Sequence, residues 1–181
     1  MRGGSREPRA QPVLLREAAA RDLDSFLRCL DVVARERRYL AMVEGPTRAE
    51  AEAFLADAHA RGMVQQVAVA GADVVGWCDV IRKPLPGFEH SGTLGMGLLP
   101  EYRGRGLGAR LLAAALEAVA PLGITRIELD VFSTNARAIA LYEKCGFVRE
   151  GVKRAARVLD GRTEDIVCMA RVEERTRSAI R

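Results

Sequence analysis

The chain has 181 residues, of which 49% are apolar and 29% are charged, so the composition suits one globular domain and excludes wholesale disorder. No apolar run approaches the roughly 18 residues that a membrane helix needs, and residues 1–12 have no apolar block after their charges. We therefore predict a cytoplasmic protein with no membrane partner and no secretory signal.

The charged and metal-binding residue types argue against two further classes. The net charge is +4, but the basic residues are spread along the chain apart from a short cluster at residues 35–38, and there is no aromatic-basic RNA motif. We predict no nucleic-acid partner, although the basic charge keeps nucleic-acid binding open as an alternative class. The four cysteines and two histidines have no zinc-site spacing, which predicts no metal.

The first part of the chain is predicted to contain one strand and two helices. Residues 1–11 show no periodicity and are expected to form a disordered tail before a domain of residues 12–171. A short strand is expected at residues 13–16, and a helix with one apolar face begins near Asp22. Thr47, with a glutamate three residues later, has the capping-box pattern that predicts the start of a second helix.

Strands and helices alternate in the middle of the chain. A hairpin is predicted for residues 64–70 and 74–81, because two apolar runs flank a glycine-containing turn. A further strand is expected at residues 90–99. A strongly apolar helix follows at residues 106–120.

The last part is predicted to be a strand, a short helix and a hairpin. Residues 126–131 alternate between apolar and charged, and Asn135 is a helix N-cap candidate. Asp160 and Gly161 are a strong hairpin turn signal, and residues 172–181 form a polar tail. Together the elements predict an α/β (α+β) fold with a single mixed, mostly antiparallel sheet flanked by about four helices.

A glycine-rich segment lies between the predicted strand at residues 90–99 and the helix that follows. The first turn of a helix leaves about four backbone N–H groups without partners and carries roughly half a positive charge. Glycines let an anion approach that backbone closely, and arginines add fork-shaped donors. The segment therefore predicts a pyrophosphate cradle. It consists of Arg103, Gly104, Arg105, Gly106, Leu107 and Gly108.

Two familiar phosphate-binding motifs do not fit this segment. A Walker loop ends in Gly-Lys-Ser or Gly-Lys-Thr, whereas Gly108 is followed by Ala109 and Arg110. A dinucleotide-binding fingerprint requires a different glycine spacing. A tight turn without a ligand is the remaining structural alternative.

The segment resembles the Arg/Gln-x-x-Gly-x-Gly/Ala motif of the GNAT acetyltransferase superfamily. Residues 135–147 resemble the second signature of that superfamily, Asn-x-x-Ala-x-x-Leu-Tyr-x-x-x-Gly-Phe. The two motifs occur in the right order and at about the right distance. The similarity covers residues 13–170.

This resemblance implies a sheet whose central strands splay apart and hold acetyl-CoA in the gap. Tyr142 would protonate the departing thiolate, and Asn135 would bond the pantetheine arm. Gly95 and Gly97 fit a strand that another group approaches closely, with ordinary packing as the alternative. Outside the glycine segment, the implied cofactor-binding residues are Met96, Leu98, Leu99, Asn135 and Ala138.

The general base is not evident from the sequence. Many relatives carry a glutamate on the strand before the glycine segment, but this chain has no carboxylate between Glu89 and Glu101. His90 is a candidate because its unperturbed pKa is near 6.5. Glu36, Glu44 and Asp79 are further candidates.

The acceptor pocket is expected between the first two helices and the hairpin strand before the glycine segment. Its candidate residues are Glu36, Tyr39, Trp77 and Asp79. Trp77 has a structural alternative as a core residue.

These observations predict an N-acetyltransferase that moves an acetyl group from acetyl-CoA directly to a small amine or an amino-acid-like acceptor. Protein N-termini or lysines are the alternative acceptors. A non-catalytic acyl-CoA sensor is the alternative to an enzyme. A homodimer is an expectation from the resemblance alone.

Overall fold

Residues 12–173 are described by the computed structural model and form seven strands and four α-helices. The strands are β1 (Val13–Glu17), β2 (Val64–Ala70), β3 (Asp73–Arg82), β4 (Ser91–Leu98), β5 (Arg126–Phe132), β6 (Val148–Leu159) and β7 (Arg162–Val172). The helices are α1 (Leu23–Arg35), α2 (Arg48–Ala60), α3 (Leu107–Val119) and α4 (Ala136–Lys144). The predicted tail at residues 1–11 and residues 174–181 of the C-terminal tail lie outside the described residues.

The strands form one mixed sheet in the order β1-β2-β3-β4-β5-β7-β6, which confirms the predicted fold class. Neighbouring strands are antiparallel except for β4 and β5, which are parallel. That parallel pair spans only Ser91–Thr93 on β4 and Arg126–Glu128 on β5. Beyond these residues β4 and β5 diverge, so the sheet is open in its centre.

Local signals in the sequence account for the ends of several elements. The predicted capping box is confirmed, because the Thr47 side chain accepts from the N–H of Glu50 and the Glu50 carboxylate accepts from that of Thr47. The Asn135 side chain caps α4 by accepting a hydrogen bond from the N–H of Ala138, which confirms the predicted N-cap. Asp160 and Gly161 adopt φ of 51° and 72°, the positive values that a two-residue hairpin turn requires.

Two core clusters lie on opposite faces of the sheet. The larger one joins the apolar faces of α3 and α4 to the sheet, and the smaller one joins α1 to β2 and β3. Trp77 is 3% exposed and belongs to the smaller cluster, where its ring meets Phe26 edge-on at 5.7 Å. This position corrects the predicted role of Trp77 in contacting substrate, because the indole is occupied by core packing.

None of the helices within residues 12–173 has the length and apolar character needed to cross a bilayer.

The α3 core contacts yield a stability prediction. Leu111 is 0% exposed in the larger cluster, so Leu111→Ala should lower the free energy of unfolding by about 2–5 kcal/mol through lost burial and a residual cavity. Leu14→Ala is the matched control, because Leu14 is 60% exposed on the edge strand β1 and should change stability by less than about 0.5 kcal/mol. Urea denaturation measures both, and equal losses would contradict this account of the core.

Candidate active site

A cavity of about 610 Å³ occupies the opening between β4 and β5. Its walls come from both faces of the sheet, so it passes from the α3 and α4 side to the α1 side. Residues 94–98 of β4 and 129–132 of β5 form the strand walls. On the α3 and α4 side the lining includes Gly106, Gly108, Asn135, Ala138, Leu141 and Tyr142. On the α1 side it includes Val33, Tyr39, Leu40 and Ala41.

The glycine segment brings the N-terminus of α3 to this cavity. Gly104 and Gly106 have φ of 78° and 75°, a conformation that favours glycine. Gly106 is the N-cap of α3, no side chain caps that helix within the described residues, and the space beside its α-carbon is open. The backbone N–H groups of the first turn, which include those of Leu107 and Gly108, are therefore available to an anion.

Arg137 adds a positive charge to the same end of the cavity. It lies in the first turn of α4, and its Nη2 is 2.9 Å from the position of a β-carbon at Gly104, so the guanidinium lies directly against the glycine segment. Arg137 lines the cavity and has no ion pair within residues 12–173. The sequence analysis did not select this residue. The available signal was an arginine two residues after the N-cap Asn135, inside the second motif.

Arg103 does not extend its side chain along the cradle. Its Nε donates to the Leu98 carbonyl at 2.9 Å, its Nη1 donates to Glu36 Oε2 at 2.8 Å, and its guanidinium stacks 4.8 Å from the Tyr39 ring centroid. These hydrogen bonds to Glu36 raise the pKa of Arg103. Arg103 thus fastens the segment after α1 to the end of β4. Arg103 also lines the cavity, and its predicted contact with the phosphates stays a prediction.

Arg105 is exposed on the same segment, and its side chain has no hydrogen bond to residues 12–173. Its predicted phosphate contact stays a prediction.

Tyr142 lies on α4 where the cavity narrows against the larger core cluster. It is 7% exposed, and its ring is tilted against Phe147 at 5.8 Å. Within residues 12–173 its hydroxyl has no hydrogen-bond partner, while no fully buried polar side-chain atom there lacks one, so the hydroxyl opens into the cavity. Burial raises the pKa of Tyr142, which keeps the phenol protonated at neutral pH.

Asn135 combines two positions that the sequence left as alternatives. Its Oδ1 accepts from the Ala138 N–H at 3.2 Å, and the residue also lines the cavity. The side-chain amide N–H groups remain free for a ligand.

The glycines of β4 make room for side chains of the neighbouring strand β3. A β-carbon at Gly97 would lie 2.3 Å from the Trp77 ring, and one at Gly95 would lie 2.9 Å from Asp79 Oδ1. The close approach expected at these glycines therefore comes from β3. Burial raises the pKa of Asp79 to about 7, with a hydrogen bond from the Gly95 N–H acting in the opposite direction.

His90 lies outside the cavity. It precedes β4, its side chain is exposed, and its carbonyl accepts from the N–H groups of Thr125 and Arg126. It is six residues before Met96, about 20 Å along an extended strand. This position corrects its candidacy as the base, because a proton acceptor must come within hydrogen-bond reach of the amine.

Within residues 12–173, no three His, Cys, Asp or Glu side chains converge in a way that could hold a metal ion.

Comparisons with known proteins agree with this geometry. Residues 27–147, more than half of the chain, match the model of the acetyltransferase (GNAT) family. The L-amino acid N-acetyltransferase AaaT of Escherichia coli K12 is 34% identical over 113 residues, which cover 62% of this chain and 70% of that protein. Two other bacterial relatives match over 48% and 18% of their own lengths.

Solved structures show the same fold. A GNAT-family acetyltransferase from Streptococcus pneumoniae has a TM-score of 0.82 and 27% identity, with 90% of this chain and 100% of that chain covered. A phosphinothricin acetyltransferase from Sinorhizobium meliloti, solved in complex with AcCoA, has a TM-score of 0.82 at 23% identity, with 88% of each chain covered. The chain therefore belongs to the GNAT family of acetyl-CoA-dependent N-acetyltransferases.

Proposed function

We propose that this protein transfers an acetyl group from acetyl-CoA to the primary amine of a small or amino-acid-like acceptor. The observation that carries the proposal is the cavity through the centre of the sheet. It has an uncapped helix N-terminus at one end, a protonated phenol along its wall and lining residues from the α1 side of the sheet. Donor and acceptor would thus approach one reaction space from opposite faces of the sheet.

The donor end suits a long anionic ligand. The first-turn N–H groups of α3 and the Arg137 guanidinium would hold phosphates by charge-assisted hydrogen bonds. Residues 94–98 of β4 have no partner strand on the β5 side, so their backbone is free to pair with the amides of a pantetheine arm. Met96, Leu98 and the Asn135 amide would make these contacts, with Leu99 and Ala138 beside them.

The chemistry divides between the acyl donor and the protein. Acetyl-CoA supplies an acetyl group already activated as a thioester. Tyr142 holds a proton at its hydroxyl and donates it to the departing sulfur. Direct transfer is favoured over a cysteine intermediate, because burial raises the pKa of Cys29 to about 12 and that of Cys78 well above its usual range.

The α1 side of the cavity suits a small acceptor. Tyr39, Leu40, Ala41, Phe132 and Ile166 provide a mostly apolar lining. Arg103 and Glu36 fix the position of Tyr39 at its edge. The match to an L-amino acid N-acetyltransferase supports an amino acid as the first acceptor class to examine.

An acceptor screen tests the proposed function. Purified protein and acetyl-CoA are combined with free amino acids, polyamines, and peptides with free N-termini or lysines, and release of free thiol is followed. We expect turnover with small amines or amino acids. Turnover with peptides alone would reassign the acceptor, and no acetyl-CoA binding by calorimetry would overturn the proposal.

Arg137 gives the first prediction for the donor end. Arg137→Ala should weaken acetyl-CoA binding roughly tenfold to a hundredfold, since hydrogen bonds to charged groups contribute about 1.5–3 kcal/mol. Lys144→Ala is the control, because Lys144 is exposed on the same helix α4 and has no ion pair within residues 12–173. Calorimetry measures both dissociation constants, and an unchanged value for Arg137→Ala would remove Arg137 from the donor site.

Tyr142 gives the second prediction. Tyr142→Phe should lower kcat at least roughly a hundredfold, the lower range for loss of a positioned acid, and leave acetyl-CoA affinity nearly unchanged. Tyr102→Phe removes a phenol outside the cavity and should have little effect on either quantity. Single-turnover kinetics with calorimetry separates the two effects. Full turnover by Tyr142→Phe would mean that solvent protonates the sulfur.

A further inference from the structure

We infer that Asp79 is the general base that deprotonates the acceptor amine, and that it reaches the cavity across Gly95 of β4. The inference rests on the proposed function and assigns the general base, for which the sequence offered several candidates.

The position of the carboxylate is set by strand register. Asp79 is paired with Gly95 across β3 and β4, and its Oδ1 lies 2.9 Å from the place of a β-carbon at Gly95. Gly95 is itself part of the cavity wall. Asp79 is not itself a lining residue. Because residue 95 has no side chain, the carboxylate lies against the β4 backbone behind that wall.

The face of the sheet on which Asp79 lies also fits the role of a general base. Side chains alternate along β3, so Asp79 shares the α1 face with Trp77, whereas Cys78 between them belongs to the α3 and α4 cluster. Tyr142 belongs to that opposite cluster. The base therefore lies on the side from which the acceptor enters, and the acid lies on the side where the sulfur leaves.

Two other carboxylates at or beside the cavity are held by cations. Both oxygens of Glu36 accept from Arg103, and Asp130 Oδ2 accepts from Lys153 at 2.5 Å. Asp79 has no ion pair within the described part of the chain.

The groups that neighbour Asp79 are uncharged. Its register partners are Gln65 on β2 and Gly95 on β4, and the Cys78 thiol beside it points to the other face. No charged side chain contributes to its pKa, which burial raises to about 7 against the opposing Gly95 N–H. Such a carboxyl releases and accepts a proton near neutral pH, which suits a general base.

The proton transfers balance as follows. The Asp79 carboxylate takes one proton from the acceptor ammonium, directly or through one water, and leaves a neutral amine. The nitrogen then forms a bond to the acetyl carbon, the carbon–sulfur bond breaks and its electron pair leaves on sulfur. Tyr142 gives its hydroxyl proton to that sulfur and regains one from the nitrogen, while Asp79 returns its proton to solvent.

Kinetics of Asp79→Asn test the inference. At pH 7 this variant should lose kcat/KM by at least roughly a hundredfold and keep its acetyl-CoA affinity. The deficit should shrink as the pH rises toward the pKa of the acceptor amine, which then loses its proton without help. A deficit independent of pH would show a structural role for Asp79 and overturn the inference.

Two further variants keep the test independent of folding defects. Gly95→Ala should displace the carboxylate, because the new methyl group would lie 2.9 Å from Oδ1, and should lower kcat/KM in the same pH-dependent way. Asp73→Asn is the matched control, because Asp73 begins the same strand but is exposed, and its kinetics should equal those of the wild type. Full activity of both Asp79→Asn and Gly95→Ala would overturn the inference.

The titration of Asp79 can also be measured on the protein without acetyl-CoA. Carboxyl ¹³C resonances of the free protein, assigned with Asp79→Asn, should show one aspartate that titrates near pH 7. Because folding raises this pKa above the unfolded value, the wild type should lose stability relative to Asp79→Asn as the pH rises from about 4 to 7. Titration at the ordinary aspartate pKa would overturn the inference.

The outcomes separate the two proposals. If the wild type turns over an acceptor and Asp79→Asn does so equally well at pH 7, only the assignment of the base fails. If the wild type binds no acetyl-CoA and turns over no acceptor, the proposed function fails and the assignment fails with it.

Discussion

The early end of the β4–β5 pairing is the constraint on which the site depends. Parallel hydrogen bonding stops at Thr93 and Glu128, although both strands continue. Each strand is held on its outer side, β4 by β3 and β5 by β7, so the divergence leaves a rigid opening with free backbone groups on its inner edges. Unpaired backbone groups are costly when buried. An extended ligand with amides of its own would satisfy them.

The strand β3 connects core packing with chemistry. Through two glycines of β4 it places an indole and a carboxylate against the wall of the opening. Trp77 fills the core under α1 and supports the wall, while two residues later Asp79 remains without a cation. A glycine inside a strand loses more backbone entropy on folding than other residues do. Glycine nevertheless occurs in strands where another group must approach the backbone closely. The register of one antiparallel pair thus sets both the shape of the wall and the position of Asp79 behind it.

Sequence analysis identified most elements because their signals are local. The Thr47 capping box, the Asp160–Gly161 turn and the apolar face of α3 each depend on residues a few positions apart. The insertion of β7 between β5 and β6 was not predicted, since strand order depends on distant pairing. Tertiary contacts also determine which partner each charged side chain binds. The sequence left Glu36, Glu44 and Asp79 as candidate bases. Within residues 12–173 Glu36 pairs with Arg103 and Glu44 lies 3.9 Å from Arg35, whereas Asp79 has no ion pair.

Burial shifts the pKa of Tyr142 and that of Asp79 in the same direction, with opposite consequences for their proposed roles. Removal from water disfavours the charged form of each, so the pKa of Tyr142 and that of Asp79 both rise. For a phenol this shift preserves a proton to donate, and for a carboxyl it brings the pKa to about 7, where the group can accept one. Under the two proposals, a single opening between two strands supplies an acid on one face of the sheet and a base on the other. An ion pair at either position would remove that asymmetry, which is why the absence of a cation beside Asp79 within residues 12–173 matters as much as its location.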